Sequence, residues 1–404
     1  MIRCRASWVL PISEPPIRDG WVAIDGGRVV SCGGADRPEG QARDIDLGDV
    51  AILPGLVNAH THLELSYLRG RVPRGASFVS WIRSVMTARR GYPDPNAPEI
   101  LDAVAGGIAE AIRCGTAAVG DISNSLVTCQ PLAESALAGV VFYELIGFNP
   151  PDPAVLVDRA RDAVRSIKAT GGVRASLAAH APYSVAPAVL RAIAEAIDRD
   201  ALPACSVHLS ESAEEVEFIR SGEGPWRRLL EDFGAWNPEW IAPGVSPVQY
   251  LGEQSFLGPR VMAVHGVQMT AADLARLAAH HTTLVTCPRS NEYTAAGTPP
   301  IEQFYSSGVA VAVGTDSLAS APDLNLFAEL AALHALAPGV PASMLLESAT
   351  RQGAWALGLD ADYGTIEPGK TARLVAVTVP RDVGDVEEYL VSGIDPRQLR
   401  WIEE

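Results

Sequence analysis

Histidine and aspartate side chains stand at the ends of several apolar segments of this chain. His60 and His62 are separated by one residue, directly after such a segment. Successive side chains of a β-strand alternate between two faces, so the two imidazoles face the same side and can reach one metal ion. His208, His265 and Asp316 follow three further apolar segments. Imidazole and carboxylate ligands with one open coordination position are typical of a catalytic site for Zn²⁺ or Fe²⁺.

The elements that must position these side chains alternate along the middle of the chain. Apolar strands alternate with alanine-rich helices, which indicates βα units and a parallel sheet in an α/β fold. Eight strands are predicted, at 51–62, 117–122, 139–147, 173–180, 203–208, 261–265, 283–287 and 309–316. Eight is the strand number of the (β/α)8 TIM barrel, in which functional residues collect at the carboxyl ends of the strands. The segment 222–249, rich in Trp, Pro and Gly, is predicted to be a long loop after the fifth strand.

Both ends of the chain are predicted to be β-structure outside the barrel. Residues 21–31 have the pattern of a hairpin, and a turn at 364–370 leads into the apolar segment 374–379. Neither end is long enough to form a core alone. We therefore expect residues 1–52 and 365–404 to pair into one small flanking β-sandwich, beside a metal-binding barrel formed by residues 53–364.

Composition limits the partners and the compartment. The chain has 404 residues and a net charge of −16, without a long basic run, so nucleic acid is not an expected partner. No segment reaches the roughly 18 apolar residues of a membrane span, and no signal-peptide pattern opens the chain. The six cysteines are widely spaced without a CxxC pair, which favours a reducing, cytoplasmic location. A small-molecule substrate is the expected partner, and a homodimer is one assembly that the sequence leaves open.

Three sequence blocks resemble signatures of the amidohydrolase superfamily. The block 53–62 reads Leu-Pro-Gly-Leu-Val-Asn-Ala-His-Thr-His and resembles the first-strand signature. Residues 208–211 resemble the HxxE motif of the nucleobase deaminases in this superfamily, and residues 314–317 resemble their eighth-strand aspartate. The resemblance spans nearly the whole chain and includes the turn 366–370. It departs at Arg373, where the family usually has an aspartate.

The resemblance implies one divalent metal per chain, Zn²⁺ or Fe²⁺. The four ligands that it implies are His60, His62, His208 and Asp316. Binuclear members usually bridge two metals with a carboxylated lysine from the fourth strand. This chain has lysine only at Lys168 and Lys370, and neither lies in that strand. A mononuclear site is therefore expected, although a binuclear cyclic-amide hydrolase and a non-catalytic metal-binding barrel stay as alternatives.

The implied activity is hydrolytic deamination of an amino-substituted nitrogen heterocycle. A bound divalent metal lowers the pKa of its water toward ~7. By the resemblance, Asp316 accepts a proton from the attacking water and His265 orients that water. Glu211 protonates the substrate ring nitrogen and helps ammonia to leave. The neighbouring Glu214, Glu215 and Glu217 are expected to be a solvated helix face instead.

Substrate choice is expected to depend on loops. The predicted substrate-binding residues are Glu64, Phe78, Trp81, His180, Arg289 and Asn291. Relatives that act on adenosine-like thioethers commonly hold the ribose with a carboxylate in the loop after the first strand, where this chain has Val79 and Ser80.

The segments 246–251, 285–291 and 314–320 resemble aminodeoxyfutalosine deaminases of menaquinone biosynthesis. Their substrate joins an adenine through ribose to a benzoate-bearing chain, and Arg289 or Arg83 is the expected cation for the benzoate. Deaminases of guanine, of methylthioadenosine or S-adenosylhomocysteine, or of triazines are the alternatives.

Overall fold

The computed structural model describes residues 1–34, 42–168 and 170–404. Its strands are Ile2–Val9 (β1), Ile17–Asp25 (β2), Arg28–Gly33 (β3), Arg43–Asp46 (β4), Val50–Pro54 (β5), Leu56–Thr61 (β6), Thr116–Ser123 (β7), Ala138–Leu145 (β8), Val173–Ala179 (β9), Cys205–Leu209 (β10), Val261–His265 (β11), Thr283–Thr286 (β12), Val311–Val313 (β13), Leu374–Thr378 (β14) and Leu399–Trp401 (β15).

The helices follow the same chain order, and 3₁₀ turns lie at Leu63–Leu68 and Pro396–Gln398. The α-helices are Phe78–Arg89 (α1), Pro98–Arg113 (α2), Cys129–Ala133 (α3), Pro153–Ser166 (α4), Pro187–Arg199 (α5), Ala213–Ser221 (α6), Pro225–Asp232 (α7), Pro247–Glu253 (α8), Ala271–Ala279 (α9), Pro288–Tyr293 (α10), Ile301–Ser306 (α11), Leu326–Leu336 (α12), Ala342–Ser348 (α13), Arg351–Ala356 (α14) and Val386–Val391 (α15). None of the helices in the described part of the chain has the length and apolar character needed to cross a membrane.

Strands β6 to β13 form an eight-stranded parallel sheet in sequence order, with helices between the strands. The backbone N–H groups of Thr315 and Asp316 donate to the carbonyl oxygen of His60, which brings the last strand beside the first. Gly314 makes this approach possible, since a Cβ there would lie 2.6 Å from the same oxygen. The predicted (β/α)8 TIM barrel is therefore confirmed.

The sequence forms these elements for local reasons. Strand β7 is buried along its whole length, as expected for a parallel strand covered on both faces. Helix α5 begins at Pro187 and buries Val189, Ile193 and Ile197, which recur every four residues along one face. These helical faces and the outward side chains of the strands form the main core.

A seven-stranded sheet beside the barrel is built from both ends of the chain. Its order is β15-β14-β5-β1-β2-β3, and β4 also pairs with β1. Alternate side chains such as Ile2, Cys4, Ile52 and Leu374 are buried in a separate small core. The predicted joining of the two chain ends into flanking β-structure is thus confirmed. The division of the chain at residues 52/53 and 364/365 stays a prediction.

Two predicted elements differ from the structure. The predicted strand 51–62 is two strands, β5 in the flanking sheet and β6 in the barrel. The break lies at Gly55, where a Cβ would lie 2.5 Å from the Cβ of Ala117. The predicted loop 222–249 contains helix α7, because Pro225 starts a helix whose buried residues Trp226, Leu229 and Leu230 recur at helical spacing.

Candidate active site

The predicted metal ligands meet at the carboxyl ends of their strands. The Nε2 atoms of His60 and His62 lie 3.2 Å apart. Asp316 Oδ1 lies 3.4 Å from His62 Nε2 and 3.8 Å from His60 Nε2. The ring of His208 is centred 5.1 Å from that of His60, and the ring of His265 5.7 Å from it. Five side chains from four strand ends therefore form one cluster, the His/Asp cluster.

The donor atoms of this cluster fit a divalent metal. Two ligands that each lie about 2.0–2.1 Å from a tetrahedral zinc are themselves separated by roughly 3.3 Å, close to the spacing of the two Nε2 atoms. Burial lowers the pKa of His60 well below its usual value, with further contributions from the neighbouring imidazoles, and burial lowers the pKa of His62 as well. Burial therefore favours the neutral form of both rings, which is the form that binds metals.

Backbone and side-chain contacts orient two members of the cluster. His208 donates its Nδ1–H to the carbonyl oxygen of His180, 2.8 Å away, so its Nε2 is left for the cluster. Asp316 has φ +58° and accepts from Ser290 Oγ at 2.5 Å and from Ser317 N at 2.7 Å. Burial opposes ionisation of Asp316, but His62, His265 and Ser290 outweigh it and lower the pKa of this carboxyl.

Glu211 lies beside the cluster as a buried acid. Its Oε1 is 3.4 Å from His265 Nε2, and the residue is 4% exposed. Burial, followed by the charges of Asp316 and Glu215, raises the pKa of Glu211 well above its usual value. Burial therefore favours the protonated form of this carboxyl, which is the form that can donate a proton to a bound substrate.

Glu215 does not belong to a solvated helix face, and this corrects the prediction made for it. It is fully buried and accepts hydrogen bonds from the backbone N–H groups of Ser210 and Glu211, each at 2.8 Å. Ser210 has φ +52°, a left-handed conformation that costs energy for a residue with a side chain. Glu215 thus holds the strained bend that carries Glu211. This role depends on the position of α6 beside the end of β10, which the sequence does not show.

Asn291 contacts the cluster rather than the cavity. Its Oδ1 lies 2.9 Å from His265 Nδ1. Burial lowers the pKa of His265 to about 3, so the ring is neutral. A neutral ring that donates Nδ1–H to Asn291 keeps Nε2 as an acceptor facing Glu211. Asn291 is therefore placed to orient His265, whereas the sequence suggested contact with the substrate.

A cavity of about 830 Å³ opens onto the cluster. Three of the predicted substrate-binding residues, Phe78, Trp81 and His180, line it. Tyr183 and Trp226 also line it and stack on each other, with ring centroids 3.7 Å apart. The walls are mostly apolar, and the polar groups converge at the cluster. This combination is typical of a small-molecule site.

The other predicted substrate-binding residues are not among the described residues that line the cavity. Arg289 forms an ion pair with Asp323 at 2.9 Å, and its guanidinium also lies 3.5 Å from the buried carboxyl group of Glu329 in α12. Glu64 accepts hydrogen bonds from Ser123 Oγ at 2.5 Å and Ser125 Oγ at 2.9 Å, and so orders the turn after β7. The benzoate-binding role predicted for Arg289 is therefore wrong, because its charge is already neutralised away from the cavity.

Three polar residues that connect the cavity wall to His208 were among the cavity residues missed by reasoning from the sequence. Arg89 donates to Asn124 Oδ1 at 2.8 Å, and Asn124 Nδ2 donates to Glu144 Oε2 at 2.7 Å. Glu144 Oε1 lies 3.6 Å from His208 Nδ1. Glu144 stands within a predicted barrel strand near its carboxyl end, so its position could have marked it. The sequence carries no comparable signal for Arg89 or Asn124.

Comparison with known proteins supplies the family. The model of the amidohydrolase family matches residues 51–393. The chain belongs to the amidohydrolase family. It is 30% identical over 413 residues to the 5-methylthioadenosine/S-adenosylhomocysteine deaminase of Moorella thermoacetica, covering 96% of this chain and 89% of that protein.

Two further relatives of this amidohydrolase are deaminases. The aminodeoxyfutalosine deaminase of Deinococcus radiodurans is 31% identical over 355 residues, covering 84% of this chain and 81% of that protein. A crystal structure of an adenosine deaminase from Xanthomonas campestris with bound zinc has a TM-score of 0.81 and 26% identity, covering 98% of this chain and 90% of that chain. The amidohydrolase described here is accordingly an enzyme, a hydrolytic deaminase.

Proposed function

We propose that this amidohydrolase hydrolyses the 6-amino group of an adenine nucleoside and releases ammonia, with aminodeoxyfutalosine as the first-ranked substrate. One observation carries the reaction type: Glu211, a buried acid, lies 3.4 Å from His265 in a cluster of imidazoles and a carboxylate at the end of an apolar cavity. The relatives named above support the adenine nucleoside as the substrate class.

One divalent metal, zinc or iron, would be held by His60, His62, His208 and Asp316. Such a metal lowers the pKa of water from 15.7 toward about 7 and so supplies a nucleophile at neutral pH. The zinc in the Xanthomonas campestris adenosine deaminase supports this assignment. The described part of this chain offers no lysine in β9 to bridge a second metal, which supports one metal per chain.

The side chains of the cluster move three protons in the proposed reaction. Asp316 takes a proton from the attacking water, and Glu211 gives its own proton to the ring nitrogen beside the reacting carbon. His265, neutral and fixed by Asn291, orients the attacking oxygen with its Nε2. The proton on Asp316 then passes to the amino group, and Glu211 takes back the proton of the new hydroxyl. The products are ammonia and a ring carbonyl, and both carboxyl groups return to their starting forms.

One feature of the sequence and the volume of the cavity support aminodeoxyfutalosine as the first candidate substrate. Val79 and Ser80 stand where relatives acting on adenosine-like thioethers commonly have a ribose-binding carboxylate. The cavity of about 830 Å³ leaves room beyond an adenosine for a large 5′ substituent. Methylthioadenosine and S-adenosylhomocysteine are the second candidates, because the Moorella thermoacetica relative is as similar as the Deinococcus radiodurans one.

Ammonia release from a substrate panel tests the proposal. The panel contains aminodeoxyfutalosine, methylthioadenosine, S-adenosylhomocysteine, adenosine, guanine and an aminotriazine, and we expect the highest kcat/KM for aminodeoxyfutalosine. Glu211→Gln should lower kcat by about 10²- to 10⁴-fold, the usual contribution of a general acid, without loss of bound metal. Glu217→Gln, which removes an exposed carboxylate of α6, is the matched control. Absence of ammonia from every adenine nucleoside, or full turnover by Glu211→Gln, would show that the proposal is wrong.

A further inference from the structure

The cavity changes in charge from its buried end to its exposed end. The acidic residues among its described lining residues, Glu144, Glu211 and Asp316, are all buried near the imidazoles. The exposed end is formed by Arg90 together with apolar residues such as Ile146 and Phe233, which are 55% and 38% exposed. The described lining at this outer end therefore carries positive charge without a carboxylate.

Arg90 differs from the other arginines of the same helical segment in its contacts. Arg83 pairs with Asp232 at 2.5 Å, and Arg89 is hydrogen-bonded to Asn124. No carboxylate of the described residues lies within ion-pair distance of Arg90. Its guanidinium instead lies over the ring of Phe233, 5.4 Å from the ring centroid. The chain has a net charge of −16 and an overall field that repels anions, and a cation with no described carboxylate beside it offsets this field locally at the cavity entrance.

We propose that Arg90 and Phe233 form a subsite for a carboxylate on an aromatic or apolar carrier, at the end of the substrate remote from the reacting ring. This subsite rests on the proposed function, because it places the adenine at the His/Asp cluster. A guanidinium matches the two oxygens of a carboxylate, and the Phe233 ring beneath it offers a face for an aromatic or apolar carrier. Apolar neighbours at this end, such as Met86 and Leu230, offer the carrier an apolar contact surface.

The subsite separates the candidate substrates by charge. A thioether such as methylthioadenosine offers no anion to Arg90. The amino-acid end of S-adenosylhomocysteine would bring an ammonium group close to the same guanidinium. A nucleoside that ends in an isolated carboxylate satisfies Arg90 without this repulsion. The subsite therefore favours aromatic acids such as aminodeoxyfutalosine over both thioethers.

Two substrates that differ only in the terminal carboxylate test the proposed contact of this carboxylate with Arg90. We expect the wild-type enzyme to have a KM for aminodeoxyfutalosine about tenfold lower than for its carboxamide, the size of one charge-assisted contact. Arg90→Gln should raise the KM for the acid about tenfold, and leave kcat and the KM for the carboxamide within about twofold. Arg90→Lys should recover part of the loss. Arg113→Gln, which also removes an arginine from the end of a helix but from outside the described cavity lining, should change neither constant.

The dissociation constants of the two deaminated products, the acid and the carboxamide, test the same subsite without turnover. The acid should bind about tenfold tighter to the wild type, and this preference should be lost in Arg90→Gln. Equal binding of the two products, an unchanged preference in Arg90→Gln, or no binding of either product would overturn the subsite. Deamination of adenine nucleosides together with any of these results would leave the proposed function standing. Absence of deamination with a retained acid preference would instead refute the proposed function alone.

Discussion

The contact between Asn291 and His265 gives the sharpest test of how the cluster is held. Asn291→Ala removes the acceptor of the His265 Nδ1–H, whereas Asn291→Asp keeps an oxygen at the same position. Both residues are buried, so water cannot replace the lost partner without entering the core. If Asn291 positions His265, its removal should lower kcat; if it binds substrate, its removal should raise KM instead.

The size of the effect follows from the cost of an unpaired group. Leaving one buried N–H without an acceptor costs about 1–3 kcal/mol. About 1.4 kcal/mol corresponds to a factor of ten in rate. If the whole cost of the unpaired N–H raises the barrier of the reaction through the misplacement of His265, kcat should fall by roughly 5- to 150-fold. Asn291→Asp should retain most of kcat. The added charge should also raise the pKa of His265 from about 3 and move the acidic limb of the pH profile upward.

Steady-state ammonia release over a range of pH separates these outcomes. Asn325→Ala is the matched control, since it removes another buried asparagine, one that caps α12 and makes no contact with His265. This control should lose stability but keep kcat. A kcat within twofold of wild type in Asn291→Ala, with KM raised fivefold or more, would refute the positioning role.

Three further perturbations test other parts of the structure. Gly314→Ala places a methyl group 2.6 Å from the His60 carbonyl, so we expect a loss of about 1–3 kcal/mol in unfolding free energy and weaker metal binding by chelator competition. Gly106→Ala, whose added methyl group meets no tertiary neighbour among the described residues within 4 Å, should show neither effect. Burial raises the pKa of Glu329 to about 8, so the folded chain retains a proton there above the unfolded value of 4.5. Wild-type stability should therefore fall relative to Glu329→Gln between pH about 5 and 8, by at most ~1.4 kcal/mol per pH unit in urea titrations; parallel curves would contradict this. Chelation should abolish ammonia release and lower the Tm, and one equivalent of zinc or iron should restore both, whereas a requirement for two would contradict the one-metal site.

Local patterns predicted most of the barrel, and they failed where the decisive contacts are distant in the chain. The segment 51–62 was predicted as one strand because apolar residues lie on both sides of Pro54-Gly55, although this dipeptide is a local turn signal. In the fold, Gly55 also lies close to Ala117 and to the backbone of Arg373, both remote in sequence. Helix α7 was not predicted, because its segment is rich in Pro, Gly and Trp residues, a composition that was interpreted as a loop. Both errors arise because hydrophobicity indicates burial and does not indicate which element a residue is buried against.

The polar residues show the same limit. Arg289 and Glu64 have the charge and the loop position of substrate-binding residues. Their partners, Asp323 for one and Ser123 for the other, lie 34 and 59 residues away. A charged side chain of this kind contacts the opposite charge or hydrogen-bond donor that the fold brings closest to it. The sequence alone does not show which residue that is. Arg90 is the converse case: nothing in the sequence marked it, and at the cavity entrance it has no acidic partner among the residues that the structure describes.

The sequence by itself determined that His60 and His62 share a face, because the two-residue period of a strand is a property of the local backbone. It also determined the eight-strand α/β pattern and the placement of His208, His265 and Asp316 at strand ends. Only the tertiary structure decided that these ends converge within a few ångströms, and that Glu211 is buried deeply enough for its protonated form to be favoured. Closure of the barrel between β13 and β6 is the physical reason, since it joins residues that lie more than 250 positions apart in the chain.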